Sequence, residues 1–231
     1  IDPGHSFGLS YHTDRLYRSM RLLGIRPVTA PDEFTEIVEV VVEESEIEEG
    51  YVKIIVTRGS DDHNFTIPAR SALQPNVLVY GKPIDLNAIE KVQSGVNCIT
   101  LDDDRGHHCD ILSLNQLNNM MARAEAQKKN CYDAVFIKDG LLTEASHSNV
   151  CIVKAGVIWT PATNEHMIRG VTRSLVLTRA APSAGVTSID EASEPVRFED
   201  MMTAEEVFLT NSQDGIIPVL SIDGNPIGGG K

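Results

Sequence analysis

The chain has 231 residues, a formal net charge of -13 and a pI near 4.9. That length suffices for one large domain or two modest ones with substantial cores. The acidity argues against nucleic acid or an anionic membrane as partner, because no basic stripe is available to neutralise phosphates, whereas a pocket with two or three local donors still admits a small anion.

From His12 to Leu23 the residues Leu16, Met20 and Leu23 recur at helical spacing, and Pro27 closes the segment. Pro31 opens a second predicted helix running to Ile47. Its apolar stripe is Phe34, Ile37, Val38, Val41 and Val42, and the interspersed glutamates read as a solvated face. Tyr51 to Thr57 and Asn76 to Tyr80 read as two strands, with Arg58-Gly59-Ser60-Asp61-Asp62-His63 as the turn that follows the first. Residues 1–84 are thus expected to form a small α+β domain, 85–95 a connector, and 96–231 a larger mixed-sheet domain.

In that second part Val96 to Leu101 is a predicted strand. Leu114 to Gln127 is a predicted helix carrying Leu114, Leu117, Met121, Ala124 and Ala126. Tyr132 to Lys138, Ser148 to Lys154 and Val157 to Thr160 read as short strands, with Asp139-Gly140 and Ala155-Gly156 at turns; Asp-Gly is a strong hairpin signal. A helix over Ile168 to Ala180 and a strand over Val207 to Thr210 follow. The last strand, Ile216 to Ile222, contains Pro218, which suggests an edge or a bend.

No apolar run has the length of a transmembrane helix, and Ile-Asp-Pro-Gly-His at the start lacks the basic and apolar regions of a signal peptide, so a cytoplasmic protein is expected. The four cysteines, Cys98, Cys109, Cys131 and Cys151, have no Cys-x-x-Cys spacing and read as reduced thiols. His107, His108, Cys109 and Asp110 form the one tempting metal cluster. Consecutive side chains on an extended segment alternate faces and rarely converge on one ion, so no metal site is expected there.

Arg169-Gly170-Val171-Thr172-Arg173 lies near the start of a predicted helix, where unpaired N–H groups and a threonine hydroxyl can face a phosphate; ordinary capping explains the same residues. Further along lie Thr143-Glu144-Ala145-Ser146-His147-Ser148-Asn149-Val150 and Leu209-Thr210-Asn211-Ser212-Gln213-Asp214-Gly215. Earlier come His12-Thr13-Asp14-Arg15-Leu16 and Cys109-Asp110-Ile111-Leu112-Ser113-Leu114-Asn115. Together, and in this order, these segments resemble the motifs of the class IV aminotransferases, the D-amino-acid branch most closely, through Val56-Thr57-Arg58-Gly59, Cys109 to Asn115 and Ile168 to Arg173. The Asn211-Ser212 turn leans instead toward the aminodeoxychorismate lyases of the same family.

The resemblance implies a two-domain α+β fold with a barrel-like second domain, pyridoxal 5'-phosphate as cofactor, an amino acid and a 2-oxo acid as substrates, and a homodimer. It assigns Arg15, Val171, Thr172 and Ser212 to the cofactor phosphate and Glu144 to the pyridine nitrogen, where a carboxylate keeps the ring protonated and electron-accepting. Ser146 belongs to the same cofactor-binding pattern, and His63 is left as the donor for the substrate carboxylate. Three departures stand out. Leu112 occupies the position of the lysine that holds the cofactor as a Schiff base, which leucine cannot do. The family's strands between the equivalents of Gly8 and His12 are missing, so omitted residues are expected between Gly8 and Leu9. Finally, Asp61, Asp62, His63 and Asn64 offer only one carboxylate donor where the D-specific branch has two.

An intact cradle without its nucleophile points to a substituted or chemically modified lysine at 112. If leucine is genuine there, the alternative is a silent binder of pyridoxal phosphate, and lyase chemistry is a further alternative with the same cofactor.

Overall fold

A computed structural model describes residues 6–60, 73–189 and 195–228. The chain divides into two compact units, Ile1–Asp85 and Leu86–Lys231.

In the first unit α1 (Leu9–Leu22) follows Gly8 directly, and the Gly8 carbonyl accepts a hydrogen bond from the His12 amide at 3.3 Å. Helix α2 (Pro31–Glu44) starts with proline, whose fixed φ suits the first helical position, and with Asp32 and Glu33 at the positive end of the dipole. Strands β1 (Gly50–Thr57) and β2 (Asn76–Pro83) pair antiparallel from Gly50 opposite Pro83 to Thr57 opposite Asn76. The helices cover one face of this ribbon: Tyr17, Phe34 and Val38 are buried against Val52, Ile54, Val77 and Val79. Tyr17 meets Phe34 edge-on at 6.1 Å between ring centroids and donates its hydroxyl to the Thr29 carbonyl at 2.8 Å.

The second unit opens on α3 (Leu86–Gln93), where a connector was expected. The chain continues through β3 (Val96–Asp102), α4 (Leu117–Lys128), β4 (Asp133–Lys138), β5 (Leu141–Ala145), β6 (Asn149–Lys154) and β7 (Val157–Trp159). Helix α5 (Val171–Leu175) passes through a π-helical turn, Val176–Ala180, into α6 (Ala181–Ser183). Strand β8 (Thr187–Ile189), α7 (Phe198–Met202), β9 (Glu206–Asn211), β10 (Gly215–Ile222) and β11 (Asn225–Pro226) complete it. The 9-stranded sheet runs β5-β4-β3-β10-β9-β6-β7-β8, with β11 on β10. Strand β3 is parallel to β4 with α4 as the crossover, while β4-β5 and β6-β7 are hairpins. Their turns, Asp139-Gly140 (φ 52° and 77°) and Ala155-Gly156 (φ 51° and 71°), put both central residues in the left-handed region, which matches the strand twist.

Of the two alternatives expected at Pro218, an edge or a bend, the structure has the bend: β10 lies between β9 and β3, and its register shifts between Val219 and Ser221, so the proline, which has no N–H to donate, sits where the strand changes partners. On α4 the buried residues are Ala122 and Ala126, small enough for close approach to β3 and β4, whereas Leu114, Leu117 and Met121 are exposed.

Candidate functional site

Glu144 lies near the end of β5, and its carboxylate is buried at 6 % exposure. One oxygen accepts a short hydrogen bond and ion pair from Arg105 Nη1. The other accepts from the Ile168 amide at 3.0 Å and from Asn149 Nδ2 at 3.4 Å. Arg105 leaves the end of β3 and is itself 6 % exposed. It donates Nε to Asp103 Oδ1 at 2.9 Å, Nη2 to Asp103 Oδ2 at 2.7 Å and Nη2 to the His166 carbonyl at 2.9 Å, and its guanidinium stacks on Phe136 at 4.3 Å. Thr143 Oγ1 completes the set by donating to Asp103 Oδ2 at 2.7 Å. Sequence reading missed Arg105, Asp103 and Asn149 as site groups, because an arginine after three aspartates looks like any charged strand end.

Burial raises the Glu144 carboxyl to about 7, although Arg105 and the Ile168 amide pull it down. Burial acts on Asp103 in the same direction, but hydrogen bonds from Arg105 and Thr143 outweigh it and hold that carboxyl below its ordinary value. A carboxyl raised on folding holds its proton more tightly in the folded state. Its contribution to stability is therefore unchanged below the ordinary 4.5 and becomes unfavourable as the pH climbs to about 7. Glu144→Gln, which cannot titrate, is expected to remove that part of the slope. Urea midpoints at pH 4.5 and 7 check it; an unchanged difference between the two midpoints would contradict the shift.

Asn149 connects Glu144 to the next segment. Its Nδ2 donates to the Ile168 carbonyl at 2.8 Å, and its Oδ1 packs so closely on Gly170 that a Cβ there would meet it at 2.0 Å. Gly170 has φ -64°, so what requires glycine is this approach and not backbone strain. Gly170→Ala should displace Asn149, loosen Ile168 from Glu144 and cost about 1–3 kcal/mol, read as a lowered urea midpoint.

Gly170 is the N-cap of α5, whose first amides have no intrahelical acceptor. Thr172 Oγ1 donates to the Asn211 carbonyl at 2.9 Å, which fixes the start of α5 beside the exposed Ser212. The Asn211-Ser212 turn is held in shape because Asn211 Oδ1 accepts from the Gln213 and Asp214 amides at 2.9 and 2.7 Å. Glu144, Val171, Thr172 and Ser212 are in this way joined by one chain of contacts within the second unit. The Ser146 hydroxyl donates a short bond to buried Asp133, and its amide reaches the same oxygen at 3.1 Å. It shapes the β5-β6 turn.

Leu112 lies in the irregular stretch between β3 and α4, 41 % exposed. That stretch is held by the Cys109 amide on the Glu165 carbonyl at 2.8 Å, and α4, which follows it, is tied down by Asn119 Nδ2 on the Ser146 carbonyl at 3.0 Å. Arg15 belongs to α1 of the first unit, where Nη2 donates to His12 Nδ1 at 3.4 Å; burial, helped by Arg15, lowers the His12 pKa to about 4. His63 lies outside the described residues. For pyridoxal phosphate, a buried carboxylate at one end and the first amides of α5 with the exposed Ser212 hydroxyl at the other fit the ring nitrogen and the phosphate. The side chain at 112 does not fit the covalent link.

A family model described as amino-transferase class IV matches residues 1–222. The D-alanine aminotransferase of Bacillus licheniformis is 36 % identical over 230 residues, 100 % of this chain and 79 % of that protein. That of Staphylococcus aureus (strain N315) is 31 % identical over 228 residues, 99 % of this chain and 79 % of its own length. Among solved structures, the branched-chain amino acid aminotransferase of Escherichia coli superposes with a TM-score of 0.83 at 21 % identity, covering 96 % of this chain and 73 % of that one. A putative 4-amino-4-deoxychorismate lyase of Legionella pneumophila gives 0.84 at 20 % identity, covering 98 % and 82 %.

Proposed function

Because the chain belongs to the class IV aminotransferases, which are pyridoxal-phosphate-dependent enzymes, we propose that its site is built to move an amino group between a D-amino acid and a 2-oxo acid. The observation that carries this reading is the continuity from Arg105 and Glu144 through Asn149 and Gly170 to Thr172 and Asn211, which spaces a buried carboxylate from a set of phosphate donors. The bound cofactor supplies an electron sink for the substrate α-carbon. Glu144 would meet the ring nitrogen and favour its protonated form, with Arg105 and Ile168 holding the carboxylate in place. Val171 and Thr172 would offer backbone amides, and Ser212 its hydroxyl, to the phosphate; Arg15 is assigned there by its motif alone.

The likeness to D-alanine aminotransferases supports the D series. With Leu112 in place the cofactor is held without a covalent bond and no lysine moves the α-proton, so turnover in this chain is slow. Lyase chemistry is the second reading, favoured by the Asn211-Ser212 turn. The deciding assay uses the Leu112→Lys protein loaded with cofactor and offers it D-alanine, L-leucine and aminodeoxychorismate separately. Fastest amino transfer from D-alanine is expected; preference for L-leucine, or pyruvate release from aminodeoxychorismate, overturns the assignment.

Exposed Leu114, Leu117, Met120 and Met121, close together around the start of α4, support a homodimer. Light scattering should then give twice the chain mass of 25.3 kDa. A cytoplasmic location belongs to the same reading. Among the described residues no helix is long and apolar enough to cross a membrane.

A further inference from the structure

We propose that His107, Glu165 and His166 form a binding site for a zinc-like divalent transition-metal ion. One ligand atom from each lies within 4.8 Å of the others, and the two imidazole rings are 5.8 Å apart between centroids. The side chains come from two loops, one following β3 and one preceding α5. These loops are already joined through the ligand-bearing residues themselves: the Glu165 carbonyl accepts from the Cys109 amide at 2.8 Å and the His166 carbonyl from Arg105 at 2.9 Å. The backbone at two of the three ligands is therefore fixed before any ion arrives, which lowers the ordering cost of binding.

The local chemistry agrees. His166 Nδ1 is buried and makes no hydrogen bond, while its Nε2 stands 3.9 Å from Glu165 Oε1. Nε2 is thus the His166 nitrogen that faces Glu165 and would ligate, and with Nδ1 buried it is the ring atom left to meet an ion. Two imidazoles and one carboxylate suit zinc and its neighbours and suit magnesium or calcium poorly, since these prefer all-oxygen shells. Three protein ligands leave a coordination position for water. His108, with φ 71°, breaks the extended conformation of the segment, so His107 finds its partners across the fold and not among its sequence neighbours.

The site adjoins the Arg105-Glu144 pair without using either side chain, and its occupancy does not depend on the reading of the cofactor site. A bound ion ties the two loops together and stabilises the folded chain by mass action.

Untagged protein, stripped with chelator and dialysed, is titrated calorimetrically with zinc and in parallel with magnesium. One zinc per chain is expected, with a raised melting temperature and no response to magnesium. His107→Ala and His166→Ala should each weaken zinc binding by at least about tenfold, because losing a ligand costs no less than the 10–100-fold known for groups that only orient ligands. His108→Asn should leave it unchanged. Circular dichroism of each metal-free variant confirms that a lost signal is read on folded protein. Absence of stoichiometric zinc in the parent protein overturns the site, as does unaltered affinity in His107→Ala and His166→Ala. A strong thiolate band on cobalt substitution, which would place the ion on a cysteine, overturns it too.

Discussion

Leu112→Lys is expected to convert a protein that releases pyridoxal phosphate on dialysis into one that retains it covalently. Borohydride reduction followed by peptide mapping should find the cofactor on residue 112 of the variant and leave that peptide unmodified in the parent. Amino transfer should rise by about 10²–10⁴-fold, the range a well-placed general acid-base group contributes. The substitution should be tolerated by the fold: Leu112 is 41 % exposed in an irregular stretch, and that stretch is held by the Cys109 amide on the Glu165 carbonyl, a contact that does not involve the Leu112 side chain. A long ammonium-bearing chain there remains solvated, and such surface changes ordinarily cost within about 0.5 kcal/mol. A variant that folds with the parent's urea midpoint yet forms no adduct at 112 would sink the assignment of this position.

The second large effect is expected at Arg105. Its guanidinium bonds to both Asp103 and Glu144, all three being buried, and also to the His166 carbonyl. Arg105→Leu leaves two carboxylates without their counter-charge in a site closed to water. Removing one partner of a buried pair costs about 3–5 kcal/mol, most of it the desolvation of the charges left behind. The penalty is pH-dependent. Without the cation both carboxyls are raised, so the variant should recover stability as the pH falls and they protonate, and lose it as the pH rises. Urea unfolding at neutral and mildly acidic pH measures both effects. Arg105→Leu combined with Glu144→Leu should lose less than the sum of the single changes, because the two side chains act on each other. A neutral-pH loss under about 1 kcal/mol for Arg105→Leu would mean that water reaches the site and screens it.

Much of this molecule is readable locally. The Asp139-Gly140 and Ala155-Gly156 turns mark hairpins locally, since left-handed backbone at both positions gives a two-residue loop whose twist matches the flanking strands. Pro31 marks a helix start for an equally local reason. The motifs holding Glu144, Val171, Thr172 and Ser212 could be picked out because they follow one another in family order, and the structure links Glu144 to the start of α5 through Asn149. Other features were not readable, because their causes are distant in sequence. The Leu114, Leu117 and Met121 pattern resembles a buried stripe, yet α4 packs through Ala122 and Ala126, since two parallel strands approach it closely on that side. Pro218 marks a bend in mid-sheet because β10 changes partners there, from β9 to β3.

By itself the sequence determined the family, several of the strands and helices, and the fact that residue 112 cannot bond to a cofactor, because each of these rests on residue identity and on spacing within a few positions. Only the tertiary structure decided which charges meet. Arg105 reaches Glu144 across 39 positions, and His107 reaches Glu165 and His166 across a still longer stretch. The physical reason is that burial removes the water that would otherwise screen such groups, so their energies depend on partners that pairing of distant strands alone brings within reach.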